Sequence, residues 1–352
     1  HDEHNDDEWF AGRAYGEEIY MIAHNGSASS HANSLADTLG SAGNTLLKID
    51  TWGRMYSDYG GYVDGNMISS NSWYTMSDLS TLPRGFIING AANENSIVWG
   101  ETPLGFGDDF GRGLLWRCED NGSSSARGGF LNANPQPRID PNKTYRLSCW
   151  IKRSHISEGS YYLGAYGLSN GTGSNQGLQD PSKRGTLDGA ATAGATTLNL
   201  NSDESMPDPG GNTRYAVINM TDVISYTGKS GDQLTGIPSS GDYAIASNHA
   251  DNAVILYVEQ NAYFKSGDLP AVDKWYLVVG YIRGNGDTGD YTDRGAVYDG
   301  ETGMKVGSGG DFMWMPTNTH GKFRVYMFYS DNSPEQIQHM YDPRFEELST
   351  AP

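Results

Sequence analysis

The histidine residues of this 352-residue chain are scattered, and none forms an HExxH or His-x-His pattern that would bind a catalytic metal. Carboxylates are plentiful, but the sequence does not pair them as glycoside hydrolysis requires. It also shows no nucleophile beside a base. We therefore expect a non-catalytic protein. A polysaccharide lyase or hydrolase is the alternative, because β-sandwich folds host such enzymes as well as binding proteins.

A glycine-rich acidic loop, GNGDTGDYTD, is the first candidate for metal binding. It places Asp287, Asp290 and Asp293 three residues apart. Such a loop could wrap oxygen ligands around Ca²⁺, a hard cation. The loop lacks the glycine and terminal glutamate of an EF-hand, so a solvated loop is the competing interpretation.

Aromatic residues near strand ends are the candidates for carbohydrate binding. A sugar ring is held by an aromatic ring against its apolar face and by polar groups at its hydroxyls. We select Trp150, Tyr166, Tyr281 and Trp314 as residues that could present a ring to solvent. The alternative for each of them is a structural role, because alternation along a strand buries about half of its side chains.

Short alternating runs bounded by Gly, Asn, Asp and Ser dominate the chain and predict an all-β protein with many turns. Two strand-rich stretches, 83–179 and 257–350, share apolar and aromatic strand patterns flanked by polar turns. Together they predict one discontinuous jelly-roll β-sandwich. Between them, 180–256 predicts a small inserted β-domain, since loop tips with close ends tolerate insertions. Residues 1–82 are interpreted as an acidic arm followed by a short assembly segment.

The excess of acidic residues limits which macromolecules the chain can bind. With 24 basic and 43 acidic residues the net charge is −19, which disfavours nucleic acids and anionic membranes. No apolar run is long enough to span a bilayer, so we expect no membrane insertion. The chain begins without Met at HDEHNDDEWF, and we interpret it as a processed or truncated product.

The cysteines and the N-glycosylation sequons are the residues that could indicate whether the protein is secreted. Cys118 and Cys149 lie on predicted strands and could form one disulfide if those strands are neighbours; two separate buried thiols are the favoured alternative. Five N-glycosylation sequons occur in the chain and would suit a secreted protein. They begin at Asn25, Asn121, Asn142, Asn170 and Asn219.

Several motifs resemble known modules. The stretch from AATAGATTLNLNS (190–202) to NAVILYV (252–258) resembles a small β-module that recurs in bacteriophage virion and tail-fibre proteins. KTYRLSCWIK (143–152), AYFKSGDLPAVDKWYLVVGYI (262–282) and YDPRFEEL (341–348) resemble a carbohydrate-binding-module-like jelly roll of the concanavalin type, also found in tail fibres and surface adhesins. Residues 1–80 resemble no family.

The resemblance implies a structural or adhesive subunit of a viral fibre or extracellular appendage, located outside the cell or on a virion. Such a subunit would bind copies of itself and could bind a surface polysaccharide. A secreted, lectin-like monomer is the alternative from a different class. The resemblance further implies a structural Ca²⁺ between the two ends of the jelly roll, with Glu94 and Asp342 as ligands.

Overall fold

The computed structural model of the chain describes residues 8–13, 19–25, 43–50, 55–56, 86–88, 94–103, 111–119, 128–132, 136–154, 160–169, 177–201, 205–289, 291, 294–329 and 337–348. All regular secondary structure within these ranges is β-strand. The prediction of an all-β protein is therefore confirmed. No helix in the described part of the chain is long and apolar enough to cross a bilayer.

The strands differ widely in length. In chain order they are β1 (Glu8–Arg13), β2 (Ile19–Asn25), β3 (Gly43–Asp50), β4 (Met55–Tyr56), β5 (Phe86–Ile88), β6 (Glu94–Glu101), β7 (Arg112–Glu119), β8 (Gly128–Asn132), β9 (Tyr145–Arg153), β10 (Ser160–Leu168), β11 (Leu178–Thr186), β12 (Thr197–Asn199), β13 (Arg214–Ile218), β14 (Asp222–Tyr226), β15 (Gly228–Ser230), β16 (Gln233–Thr235), β17 (Val254–Glu259), β18 (Ala262–Gly267), β19 (Tyr276–Arg283), β20 (Ala296–Asp299), β21 (Lys305–Ser308), β22 (Asp311–Met313), β23 (His320–Tyr329) and β24 (Ile337–Glu347).

Two facing sheets form a β-sandwich. The smaller sheet has five strands in the order β18-β10-β23-β8-β5. The larger sheet follows the order β14-β13-β17-β11-β22-β19-β9-β24-β7-β6, with β20 and β21 attached beside β19. The chain crosses between the sheets from β8 to β9 to β10, and again from β22 to β23 to β24. Neighbouring strands in each sheet are therefore often distant in sequence.

The first hydrophobic core lies between these two sheets. Leu147 and Ile151 of β9 face inward from the larger sheet, as the alternation in the sequence predicts. Leu163, Phe323 and Val325 face them from the smaller sheet, and each is fully buried. Burial of an apolar side chain of this size is worth about 1.5–3 kcal/mol, so this layer is a main source of the fold's stability.

A second hydrophobic core lies further along the larger sheet. There β11, β13, β14 and β17 are covered by the three-stranded sheet β12-β16-β15. Leu198 and Leu234 of the small sheet meet Ile218, Ile224 and Ile255 of the large one. All residues of this core lie between Leu187 and Tyr257. The boundaries of an inserted domain at 180 and 256 remain a prediction.

The cysteines belong to the first core, where both thiols are buried and neither is in a disulfide. Cys118 lies on β7 and Cys149 on β9, and β24 pairs with both strands and separates them. Two strand spacings amount to about 9.5 Å. A disulfide requires the Cα atoms to be closer than about 7 Å. The disulfide alternative was therefore wrong.

The N-terminal segment contributes a separate four-stranded sheet in the order β1-β2-β3-β4. β1 pairs antiparallel with β2 over its whole length, from Glu8 to Arg13. We expected these residues to belong to the acidic arm, but they form a strand. The run Trp9-Phe10-Ala11 includes two aromatic residues, a residue type that is enriched in strands.

A hydrogen-bonded cluster centred on Asp222 lies at the start of β14, a strand that contributes to the second core. Asp222 Oδ2 accepts hydrogen bonds from the amides of Ala246 (3.0 Å) and Ser247 (2.9 Å), and it lies 2.9 Å from His249 Nε2. The backbone of His249 also pairs with that of Ala191. Burial acts to raise the pKa of Asp222, but the hydrogen bonds from His249 and Ser247 outweigh it and lower the pKa. The carboxylate thus holds the 244–249 loop against β14.

We predict that Asp222→Asn lowers the free energy of unfolding at pH 7 by about 1–3 kcal/mol, because the charge-assisted hydrogen bonds are lost. Since the folded-state pKa of Asp222 is lowered, its contribution is present above the unfolded pKa, near 3.9, and disappears as the pH falls through the folded pKa. Urea denaturation at pH 7 and pH 3 measures this difference.

The matched control is Asp242→Asn, which changes an exposed carboxylate of the same segment. It should leave the free energy of unfolding within about 0.5 kcal/mol of wild type at both pH values. A loss from Asp222→Asn that is equal at pH 7 and pH 3 would contradict the role given to the carboxylate.

Candidate functional site

Three tyrosines, one arginine and one asparagine meet on the outer face of the five-stranded sheet. Tyr162 and Tyr166 come from β10, where they alternate with inward-facing core residues. Tyr263 comes from β18, Arg324 from β23, and Asn261 from the turn before β18. We call these five residues the tyrosine–arginine face. The three rings are half-buried, whereas Arg324 is 1% exposed and Asn261 is exposed.

Gly164 makes this arrangement possible. In the sheet it pairs with Tyr263 on one side and Arg324 on the other. A Cβ atom at this position would lie 2.3 Å from the carbonyl oxygen of Ala262 and 2.9 Å from Tyr263 Cδ1. Because glycine has no side chain, Tyr263 and Arg324 can approach each other across β10.

The guanidinium of Arg324 lies between two of the rings. Its Cζ is 4.2 Å from the centroid of Tyr166 and 4.4 Å from that of Tyr263. The Tyr162 ring lies 4.7 Å from the Tyr263 ring with an interplanar angle of 55°. Desolvated cation–π contacts of this kind are worth about 2 kcal/mol. The arginine therefore fixes the orientation of the Tyr166 and Tyr263 rings, and Tyr162 packs against the second of them.

Asn261 is an exposed residue that hydrogen-bonds to two members of the tyrosine–arginine face. Its Oδ1 accepts a hydrogen bond from Arg324 Nη2 at 3.2 Å and one from the Tyr166 hydroxyl at 3.4 Å. The result is a row of oriented aromatic rings with hydroxyl and amide groups at its edge. These groups can pack against the apolar face of a sugar and bind its hydroxyls. The five residues include no carboxylate pair and no nucleophile with a base.

Of the four aromatic residues selected from the sequence, Tyr166 lies in the tyrosine–arginine face. Trp314 was predicted to be exposed, and this was wrong. It is 0% exposed and packs edge-to-face on Tyr145, with the ring centroids 5.5 Å apart. The sequence DFMWMP follows no strict alternation, so the direction of this ring could not be inferred from it.

The other two selected residues lie on the larger sheet, away from the tyrosine–arginine face. Trp150 is half-buried against a cluster formed by Leu115, Trp275 and Tyr341. Tyr281 is half-buried, and its ring centroid lies 6.0 Å from that of Tyr291. A sugar-binding role for either residue stays a prediction.

Sequence reasoning missed Tyr263, Arg324 and Asn261. The alternation in KFRVYMF places Arg324 on the face opposite the core residues Phe323 and Val325, and this signal was available. However, the pairing of β10 with both β18 and β23 brings together residues far apart in sequence. No local pattern predicts that pairing.

The structure describes Asp287 but not Asp290 or Asp293, which lie outside the described residues. The oxygens of Asp287 accept hydrogen bonds from the Gly289 amide and the Tyr291 hydroxyl, both at 2.8 Å. Arg283 Nη1 donates to the carbonyl oxygens of Asp287 and Gly289, so a guanidinium holds this part of the loop. No cluster of three or more His, Cys, Asp or Glu side chains suited to a metal occurs among the described residues.

Glu94 and Asp342 do not lie close enough to share a cation. Glu94 pairs with Glu119, and Glu119 pairs with Ile337. Asp342 lies five residues further along β24, a distance of about 16 Å in an extended strand. Its Oδ2 instead accepts a hydrogen bond from Arg344 Nε at 2.7 Å. The calcium site inferred for this pair was wrong.

Two of the five sequon asparagines are exposed in turns. Asn142 lies before β9 and donates from its side-chain amide to Asp140 Oδ1 at 3.1 Å. Asn219 lies between β13 and β14 with a positive φ of 49°. Asn25 ends β2, while Asn121 and Asn170 lie outside the described residues. Glycosylation at these positions stays a prediction.

No protein-family model matches the chain, and no curated protein matches it. Weak structural similarity exists to solved proteins. An arabinose-bound α-L-arabinofuranosidase is 9% identical, with a TM-score of 0.35, over 82% of this chain but only 28% of the enzyme's length.

A Bacteroides thetaiotaomicron protein assigned to sugar binding is 11% identical, with a TM-score of 0.23, over 76% of this chain and 90% of its own length. A carbohydrate esterase from a Shiga toxin-encoding bacteriophage is also 11% identical, with a TM-score of 0.25, over 74% of this chain and 91% of the esterase. All three neighbours are carbohydrate-related proteins.

We predict that Gly164→Ala disrupts the tyrosine–arginine face, because its Cβ would collide with the Ala262 carbonyl. The free energy of unfolding should fall by about 1–3 kcal/mol, the usual cost of overpacking. Chemical denaturation monitored by tyrosine and tryptophan fluorescence measures it.

Gly307→Ala on β21 is the control, since a Cβ there meets Val297 at 3.5 Å, an ordinary contact distance. It should change the free energy of unfolding by less than about 0.5 kcal/mol. Equal losses from both variants would show that Gly164 is not a special position.

Proposed function

We propose that the chain is a non-catalytic adhesive subunit that binds glycans through the tyrosine–arginine face. The observation that carries this proposal is the set of three half-buried tyrosine rings: the guanidinium of Arg324 lies against Tyr166 and Tyr263, and Tyr162 packs on Tyr263. Rings held in place lose little conformational freedom on binding, which favours affinity for a weakly interacting ligand such as a sugar.

The charges favour uncharged sugars as ligands. The net charge of −19 repels a polyanionic glycan. Arg324, at 1% exposure, is shielded from solvent by the rings and does not offer its charge to a ligand. The groups that remain partly exposed are the three tyrosine side chains and Asn261, which offer rings, hydroxyls and an amide to the apolar faces and hydroxyls of neutral pyranoses.

The proposed setting is a viral fibre or an extracellular appendage in which the chain binds copies of itself. The motif resemblances described above support this setting. The four-stranded N-terminal sheet also supports it, because its outer strands β1 and β4 each pair with one neighbour among the described strands. Edge strands of this kind are suited to pairing with another copy.

We predict that the full chain forms a homo-oligomer in solution. Light scattering after size exclusion measures its mass directly. A single species of 38.3 kDa at micromolar concentration would contradict self-assembly and favour the lectin-like monomer. The glycan-binding proposal does not depend on this result.

We predict that Tyr166→Ala weakens binding to a neutral polysaccharide by about 5–30-fold, the usual effect of removing a central aromatic contact. Affinity electrophoresis in gels containing laminarin, xylan or dextran tests this, with alginate as the anionic comparison. Tyr166→Phe keeps the ring and should retain most of the binding. Tyr298→Ala, which removes a half-buried tyrosine from β20, is the matched control and should not alter retardation.

Retardation by a neutral glycan that Tyr166→Ala and Tyr263→Ala leave unchanged would reject the tyrosine–arginine face as the binding site. If none of the neutral glycans retards the wild-type chain, the proposed ligand class is wrong. Hydrolysis of any of these glycans, seen as new reducing ends, would overturn the non-catalytic assignment.

A further inference from the structure

Three polar side chains lie inside the sandwich at one end of the first core. Arg153 is the last residue of β9, and it pairs with Gln338 near the start of β24. Tyr161 faces them from β10 of the opposite sheet. Arg153 is 5% exposed, and Tyr161 and Gln338 are each 1% exposed. We call these three residues the internal polar cluster.

The internal polar cluster is incompletely satisfied. Arg153 Nε, the Tyr161 hydroxyl and Gln338 Oε1 are buried and have no hydrogen-bond partner among the described residues. Arg153 Nη2 donates to the carbonyl oxygen of Leu269. Its Nη1 lies 3.2 Å from Asp268 Oδ1, but the two groups are not aligned for a hydrogen bond. Buried polar groups are nearly always paired, so this cluster requires an explanation.

The charge of Arg153 is also poorly balanced. Its ion-pair partner Asp268 has a side chain that is 47% exposed, and solvent weakens such an interaction. A buried guanidinium without an adequate counter-charge is costly, because the loss of hydration is not repaid. A negatively charged group inside the sandwich would remove this cost.

The donors in the cluster define the ligand. Arg153 Nε–H and the Tyr161 hydroxyl are both donors without acceptors, so the missing group is an acceptor. Burial raises the pKa of Tyr161 well above its usual range, against the opposing effect of the Arg153 charge, and the hydroxyl keeps its proton at neutral pH. The Gln338 amide can rotate so that its nitrogen donates as well.

We propose that the internal polar cluster binds a small monovalent anion of the size of chloride between the two sheets. The enclosed position excludes bulky anions, and the guanidinium supplies the attraction that the strongly acidic chain as a whole does not. The bound anion would satisfy both donors and stabilise the end of the sandwich where β9 and β24 meet. This site is distinct from the tyrosine–arginine face.

Thermal unfolding of the full chain tests the proposal. At constant ionic strength, replacing sodium gluconate by sodium chloride or bromide should raise the Tm by on the order of 2–5 °C, because the anion binds only the folded state. Gluconate is too large to enter the interior. Equal Tm values in gluconate and chloride, over 0.01–0.5 M, would overturn the proposal.

Tyr161→Phe removes one donor while keeping the ring, and it should weaken the halide dependence about tenfold. Tyr226→Phe is the matched control: it also removes a buried hydroxyl, which donates to the Pro207 carbonyl at 2.9 Å in the second core. It should keep the full halide response. The same response in both variants would show that the halide acts elsewhere.

Crystals of the wild-type chain grown in bromide give a reading that does not depend on the variants folding. An anomalous bromine peak within about 3.5 Å of Arg153 Nε and the Tyr161 hydroxyl is expected. Electron density for a water molecule there, without anomalous signal, would overturn the proposal.

Discussion

Pairing of the last strand, β24, on both of its edges is the constraint on which the larger sheet depends. β24 binds β7 on one side and β9 on the other, so it joins two strands that precede it by roughly 200 residues. The sheet cannot close until the end of the chain has been placed. Contacts between residues this distant in sequence slow folding, because the loop-closure entropy must be lost before they form.

The same strand contains an irregularity that the pairing must accommodate. Asp342 and Pro343 form a bulge in β24 opposite Cys149, and Asp342 has a positive φ of 45°. Proline cannot donate to a central ladder, so the bulge is what permits it there. In the facing sheet, β23 pairs with β10. This pairing brings Arg324 between the rings of Tyr166 and Tyr263.

How much could be predicted from the sequence differs between elements. The alternation of β9 showed the inward direction of Leu147 and Ile151, because a strand with one buried face has a period of two. Local patterns did not predict the burial of Trp314, because DFMWMP does not alternate, or the separation of Cys118 from Cys149, because it depends on strand order. Likewise, Tyr166 could be selected as an aromatic residue near a strand end, but Tyr263 and Arg324 join it only through long-range register.

The most direct test of the central claim is the response of individual tyrosine rings to a glycan. In a chain with ¹³C-labelled tyrosine rings, titration with a hexasaccharide of the best-binding neutral glycan should shift the resonances of Tyr162, Tyr166 and Tyr263. The resonances of the core residues Tyr145 and Tyr226 should stay unchanged. Shifts confined to tyrosines of the larger sheet, such as Tyr281, would contradict the account.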